Sequence, residues 1–374
     1  MRLQILPVAA FYKAECSVSV NGLAELSMDK NLAVRLRCCQ MLCFILTCIP
    51  NRHEFHQRIL PYMLTFHSDE CADIRAFALS TVLLCGKQYE SEHPDEIIER
   101  CQWGIDGDNR CNHQDVLPTP FTTRPPLGSR MFVRENSRRI LDAALKELSN
   151  WIEKVRFASL KLLQVLVIYN EEHMTMNFHG TLEAITKAIQ TILRERMDIT
   201  CPYLQQLFDL VQLIGRFVAP DVYLNLILPR IVGDVSSGTS TCEGGFHPEI
   251  ARYSNTLVLK HLIQGSSRSE VFTSYMVTIG TALLSDANIG HFTGSRVQIE
   301  CLNIVITLLV GFEVIDTDLF EKISRDPTFS AISYLESLNH VLKISSNEQL
   351  PECVTVLVQR INTISSQVVT SNYK

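Results

Sequence analysis

The feature that most limits what this chain can fold into is a short signature that returns at long, regular spacing. A β-branched apolar residue followed by Arg occurs at Val34-Arg35 and again 40 residues later at Ile74-Arg75. It returns at Val155-Arg156, 81 residues further on and close to two more periods. Each copy lies inside a block whose apolar residues recur at helical spacing. Such blocks, about 12 to 20 residues long, fill most of the chain, and strand signals are nearly absent. A helical unit that repeats in this way cannot bury its apolar face alone, so it stacks on copies of itself.

The clearest copy is ILPYMLTFHSDECADIRAFALSTVLLCGKQY, residues 59–89. Ile59, Leu60 and Leu64 mark a first helix with Pro61 near its start. Ser68 and Asp69 mark a turn, and Ile74, Arg75, Ala78 and Leu83 mark a second helix. Asp69 is placed to cap that second helix. Ala78 allows two helix backbones to approach, and Arg75 has the length to reach a neighbouring turn. This pattern resembles the HEAT repeat. Further second-helix candidates are 204–218, 250–263 and 297–310, with partners near 182–193, 222–232 and 271–284. Residues 319–369 carry apolar residues for two or three more helices, including Leu335, Leu338, Val341, Leu342, Val354, Leu357, Ile361 and Ile364. The expected fold is all-α, a HEAT/armadillo-type α-α superhelical solenoid of about seven helix pairs. A globular all-α enzyme would also be rich in helices, but the regular Val/Ile-Arg spacing favours the solenoid.

Composition agrees with a folded helical chain: 46% of the 374 residues are hydrophobic and 20% charged. The net charge of −6 argues against a general nucleic-acid binder, which needs a surplus of Lys and Arg. The 13 cysteines are spread widely, and Cys38, Cys39, Cys43, Cys48, Cys85 and Cys301 sit in apolar helical runs. They read as buried, reduced thiols. No Asn-x-Ser/Thr sequon occurs, and the start does not read as a signal peptide. The longest apolar runs, such as 301–312, are too short to span a bilayer.

Residues 90–135 break the period and divide the chain into repeats 1–89, an insertion, and repeats 136–374. The insertion begins acidic, with Glu90, Glu92, Asp95, Glu96, Glu99, Asp106 and Asp108. A Pro-rich run follows, then a basic stretch with Arg124, Arg130, Arg134, Arg138 and Arg139. Pro118, Pro120, Pro125 and Pro126 favour an extended path. Either the two charged halves pack along the edge of the repeats, or the segment is a partner-contact loop. A second break, 232–249, contains Gly238, Gly244 and Gly245 and reads as a flexible loop.

Chemistry is sparse. Cys101, Cys111 and His113, with His93 nearby, fit no common zinc spacing. Cys38-Cys39 suit core packing. Asp106-Gly107-Asp108-Asn109 is part of a calcium-loop pattern but lacks the closing ligands, and reads as a turn. No P-loop, dinucleotide glycine pattern, nucleophile elbow or His-Glu-x-x-His occurs. No catalytic residue, cofactor or metal is expected.

The run PTPFTTRPPLGSRMFVRENSRRILDAAL, residues 118–145, is similar to a segment of the dynein axonemal assembly factor 5 family. That family, also called HEAT repeat-containing protein 2, has a proline-rich lead-in, Arg-Pro-x-Leu-Gly, an Arg, and Arg-Asn before a helix. The matching positions are Arg124, Pro125, Leu127, Gly128, Arg130, Arg134 and Asn136, with Glu135 inserted between the last two. Trp151, Val155 and Arg156, and the stretch 219–231, resemble the family too. The resemblance covers about residues 55–265, and the chain looks like the family's C-terminal half. It implies a non-enzymatic cytoplasmic scaffold that preassembles axonemal dynein arms of motile cilia or flagella. The implied partners are axonemal dynein chains (intermediate or heavy) and chaperones or co-chaperones, with no membrane partner. The seven matching positions are the candidate partner contacts. The alternatives are another HEAT scaffold, such as a transport adaptor or phosphatase-type regulatory subunit, an enzyme or metal protein using the 90–135 insertion, or RNA binding through Arg124–Arg139.

Overall fold

The computed structural model describes residues 12–15, 18–103, 117–196, 198–233, 248–266, 269–285, 288 and 296–311. The chain divides into two compact units, Met1–His173 and Met174–Lys374. Helices dominate both, and the fold class is all-α, of the HEAT solenoid type. Among the described residues the strands amount to one hairpin, β1 Tyr12–Glu15 against β2 Val18–Asn21, which the apolar pattern did not foretell.

The first unit pairs α1 (Gly22–Ser27) with α2 (Leu32–Thr47), and α3 (His53–Thr65) with α4 (Ala72–Glu92). A short α5 (Pro94–Trp103) follows, then α6 (Leu127–Glu147) and α7 (Glu153–Asn170). Ile59, Leu60, Leu64, Ile74 and Ala78 are buried, as their spacing predicts. Pro61 lies in the interior of α3 rather than near its start, because the helix begins six residues before Ile59. The second unit pairs α8 (Phe178–Arg196) with α9 (Pro202–Phe217), and α10 (Pro220–Val232) with α11 (Pro248–Gly265). Its third pair is α12 (Met276–Leu283) with α13 (Arg296–Gly311). The second helices pack in series, α9 on α11 and α11 on α13.

The repeating signature has one structural cause. Asp29, Asp69 and Asn150 each accept a hydrogen bond at Oδ1 from the backbone N–H two residues on, at 2.7, 2.8 and 2.8 Å. This Asx turn sets the angle between the two helices of a pair. The signature arginine then donates back from the first turn of the second helix to the carbonyl six residues earlier. These bonds are Arg35 to Asp29 (2.8 Å), Arg75 to Asp69 (2.7 Å) and Arg156 to Asn150 (3.1 Å). In the second unit Asp198 closes the same turn, and Gln205 Nε2 donates to the Ile199 carbonyl at 2.7 Å in the arginine's stead. That replacement accounts for the missing signature arginine at the start of α9. Asp69 is not the helix cap expected for it, since Cys71 occupies the cap position. Its carboxylate instead accepts a two-pronged bond from Arg35, Nε at 2.8 Å and Nη2 at 3.1 Å, which links one helix pair to the next.

The crossing of α9 on α11 is close enough to require glycine at two positions. A Cβ on Gly215 of α9 would lie 2.8 Å from the Leu262 Cα of α11, and one on Gly265 would lie 2.6 Å from the Gln212 Cα. Cys38, Cys39, Cys85 and Cys301 are buried free thiols, whereas Cys43 is half-buried and Cys48 exposed. Burial pushes the Cys39, Cys85 and Cys301 thiols up to about 12.

The segment expected to be irregular is so only in part. Residues 94–103 and 127–135 are helical, and the expected restart at Asn136 falls inside α6. Pro126 does not exclude this helix because it stands at the N-cap, before the first turn. The turn at 106–109, Cys111, His113, Gly238, Gly244, Gly245 and the helices expected over 319–369 lie outside the described residues. Among the described residues no group of three or more His, Cys, Asp or Glu is placed to hold a metal ion. Nor is any described helix long and apolar enough to cross a membrane.

Candidate functional site

The stretch that carries the family resemblance enters through a non-helical run, 117–126, seated on an aromatic anchor. Phe121 is buried against Tyr169 of α7, ring centroids 5.4 Å apart and edge to face, and against His67 at 5.8 Å. His67 Nδ1–H donates to the Met63 carbonyl at 3.1 Å, so its Nε2 accepts from the Tyr169 hydroxyl, also at 3.1 Å. Complete burial lowers the His67 pKa to about 4 and fixes the ring as neutral.

Beyond this anchor the arginines converge. Arg124 grips Glu171 in parallel bonds, Nε to Oε1 and Nη2 to Oε2, both 2.8 Å. Arg130 Nη1 reaches the same Oε2 at 2.8 Å, and Arg134 Nη2 reaches it at 3.4 Å. Arg134 also meets Glu172 at 3.4 Å. Glu171 is 1% exposed, so this is a buried ion cluster rather than a surface charge pattern. Backbone carbonyls add to it: Arg130 Nε donates to Pro125 at 3.1 Å and Arg134 Nε to Tyr169 at 3.3 Å. Glu171 ends α7 with φ +48°, a left-handed conformation that a branched chain of bonds holds in place.

The remaining candidates also face inward. Gly128 donates its N–H to Glu90 Oε1 at 2.9 Å, and a Cβ there would lie 2.5 Å from the Gly86 carbonyl oxygen of α4. Asn136 Nδ2 donates to the Phe132 carbonyl at 2.8 Å, and Pro125 is buried. Only Arg124 and Leu127 of the seven are half-exposed. The structure therefore brings Arg124, Pro125, Arg130 and Arg134 together with Glu171, and uses Gly128 and Asn136 for helix packing. The outward face of α6 is carried by Glu135, Arg138, Arg139, Asp142 and Lys146. Sequence reasoning missed Glu171. The available signal was an acidic pair, Glu171-Glu172, directly after the apolar run of α7.

These residues lie in a stretch with known counterparts. The pattern described as the HEAT-repeat domain of dynein axonemal assembly factor 5 matches residues 117–332, more than half of the chain. The chain belongs to this family. A second pattern, described as dynein axonemal assembly factor 5-like TPR repeats, matches residues 13–100. That description differs from the HEAT-type reading of 59–89, although both repeat classes are stacked helix pairs. Similar curated relatives all carry the name dynein axonemal assembly factor 5. The Xenopus laevis protein is 24% identical over 90% of this chain and 39% of its own length. The human protein is 24% identical over 71% of this chain and 30% of its own. The Drosophila melanogaster protein is 32% identical over 55% and 22%. The chain thus spans about two-fifths or less of the relatives it matches. No solved structure matches it.

Proposed function

We propose that this chain acts as a non-enzymatic scaffold in the cytoplasmic preassembly of axonemal dynein arms, before their delivery to motile cilia or flagella. The observation that carries the reading is membership of the dynein axonemal assembly factor 5 family over 117–332. Stacked helix pairs support it, because they present long, continuous surfaces suited to holding other proteins. Dynein intermediate or heavy chains are the proposed clients, held together with chaperones or co-chaperones.

The Arg124–Asn136 stretch serves that role from within. By tying the 117–126 run and α6 to the end of α7, it fixes the outward residues Glu135, Arg138 and Arg139 that a client can meet. Affinity capture of the chain from ciliated or flagellated cells tests the reading. Dynein chains and chaperones are the expected co-purifying proteins. Capture of importin, Ran or phosphatase subunits without dynein chains would replace it with another kind of scaffold.

A further inference from the structure

Two of the exposed large apolar residues occupy one position of the repeat. Phe44 of α2 is 47% exposed, and Leu84 of α4, one 40-residue period on, is 44% exposed. The helices that carry them run parallel and side by side. Near their starts Arg35 of α2 binds Asp69, just before α4, and near their ends Gln88 Nε2 of α4 donates to the Thr47 carbonyl at 3.1 Å. Phe44 and Leu84 therefore stand level with each other on neighbouring helices. Leu84 is exposed although α2 and α6 both pack on α4, so the exposure belongs to the position and not to the end of a stack. Packed helices lie about 8–10 Å apart. Seven residues of an α-helix rise about 10 Å and return to nearly the same face. A helix lying across α2 and α4 can thus set two large side chains, seven positions apart, on Phe44 and Leu84.

The charge around this pair is positive. Arg37 lies two turns before Phe44 on the same face, and Lys87 lies one turn after Leu84. Both are exposed, and neither is paired with a carboxylate among the described residues. α2 contains no Asp or Glu. On α4, Asp73 stands three turns before Leu84, Glu90 is taken by the Gly128 N–H and Glu92 by Arg52. Glu135 of α6 stands beside Tyr89, about 140° round α4 from Leu84. An apolar pair bordered by unpaired cations complements a helix whose apolar stripe is bordered by acids.

We propose that Phe44 and Leu84 receive an amphipathic helix of a partner protein, with large apolar residues seven positions apart and carboxylates towards Arg37 and Lys87. This deepens the scaffold reading and rests on it only in assigning the helix to a partner. The probe is a fluorescein-labelled alanine–glutamine helix with leucines at that spacing, flanked by glutamates. One control peptide replaces the glutamates with glutamine and another replaces the leucines with alanine. Fluorescence polarisation with the full chain reads each affinity. The glutamate peptide is expected to bind saturably and both controls about ten-fold more weakly. Leu84→Gln and Phe44→Gln should each weaken the glutamate peptide by about ten-fold, and Arg37→Gln and Lys87→Gln by about three-fold each. These are surface changes, and unchanged circular dichroism and unfolding midpoints show that the variants fold. Trp151→Gln, exposed on the turn before α7, should leave binding unchanged. No saturable binding, equal binding of the glutamate and glutamine peptides, unchanged affinity in Leu84→Gln, or an equal loss in Trp151→Gln would each overturn the proposal. Such a failure with dynein chains still captured would remove this face but not the scaffold.

Discussion

At the residue scale, the organising group of the candidate site is a single glutamate. Glu171 faces three guanidiniums where water is excluded, so removing its charge leaves those cations uncompensated. Breaking a buried ionic cluster from one side costs about 3–5 kcal/mol. Glu171→Gln should therefore lower unfolding stability by roughly 3 kcal/mol, measured by urea denaturation. The half-exposed neighbour offers the contrast: Glu172→Gln should cost under about 1 kcal/mol. Equal effects would mean that the cluster is not centred on Glu171. The arginines themselves were legible in the sequence, but their meaning was not. A run of basic residues beside prolines reads as a solvated surface, because local spacing says nothing about a partner 47, 41 or 37 positions away. Arg35 shows the opposite case. Its reach to a neighbouring turn follows from side-chain length and the repeat period, and Asp69 receives it. Asp69→Ala removes both that bond and the turn's closure, and should cost about 2 kcal/mol by the same assay.

At the scale of elements, glycine positions decide which helices can touch. The α9–α11 crossing has Gly215 against Leu262 and Gly265 against Gln212, backbone to backbone. Alanine at either position must push two helices apart. Gly215→Ala and Gly265→Ala should each destabilise the second unit by about 1–3 kcal/mol, read as a lowered midpoint in thermal or urea unfolding. A neutral effect would show that the crossing is looser than described. Helix existence was readable from apolar spacing for α2 to α4 and α7 to α13, since amphipathic periodicity and burial have the same origin, whereas α5 lies in the segment expected to be irregular. Helix starts were read less well. The Pro-rich run led to a restart at Asn136, but α6 begins at Leu127. Proline forbids an interior turn and tolerates the first one, and composition alone does not separate those two cases. The β1–β2 hairpin was invisible for a related reason: two strands of four residues are too short for alternation to stand out.

At the scale of the whole molecule, neutral histidines with lowered pKa values recur in both units, buried in the first and half-buried in the second. His56 and His67 lie in the first, with pKa values lowered to about 4, and His261 lies in the second, lowered to about 3. The half-buried His261 stacks on Phe208 at 4.2 Å, and loss of solvent there, with the nearby Lys260 charge, lowers its pKa in the same direction. Each folded pKa lies below the ordinary value of 6.5, so the unfolded chain binds more protons between the two. Stability is therefore full above about pH 6.5 and falls as pH drops towards 4. Unfolding midpoints measured from pH 7.5 to 4.5 should decline across that window. Conservative changes of His67 and His261 to Gln should reduce the decline, while a flat profile would contradict the neutral assignments.

The repeat architecture offers long surfaces suited to holding other proteins, and the role proposed here assigns them to the assembly of axonemal dynein arms. The most direct measurement is deletion of its gene in cells bearing motile cilia or flagella, with the arms counted in axoneme cross-sections by electron microscopy. Missing outer arms, with or without loss of inner arms, and restoration by the intact chain is the predicted result; a full complement of both arms in the deletion strain would contradict the assembly role.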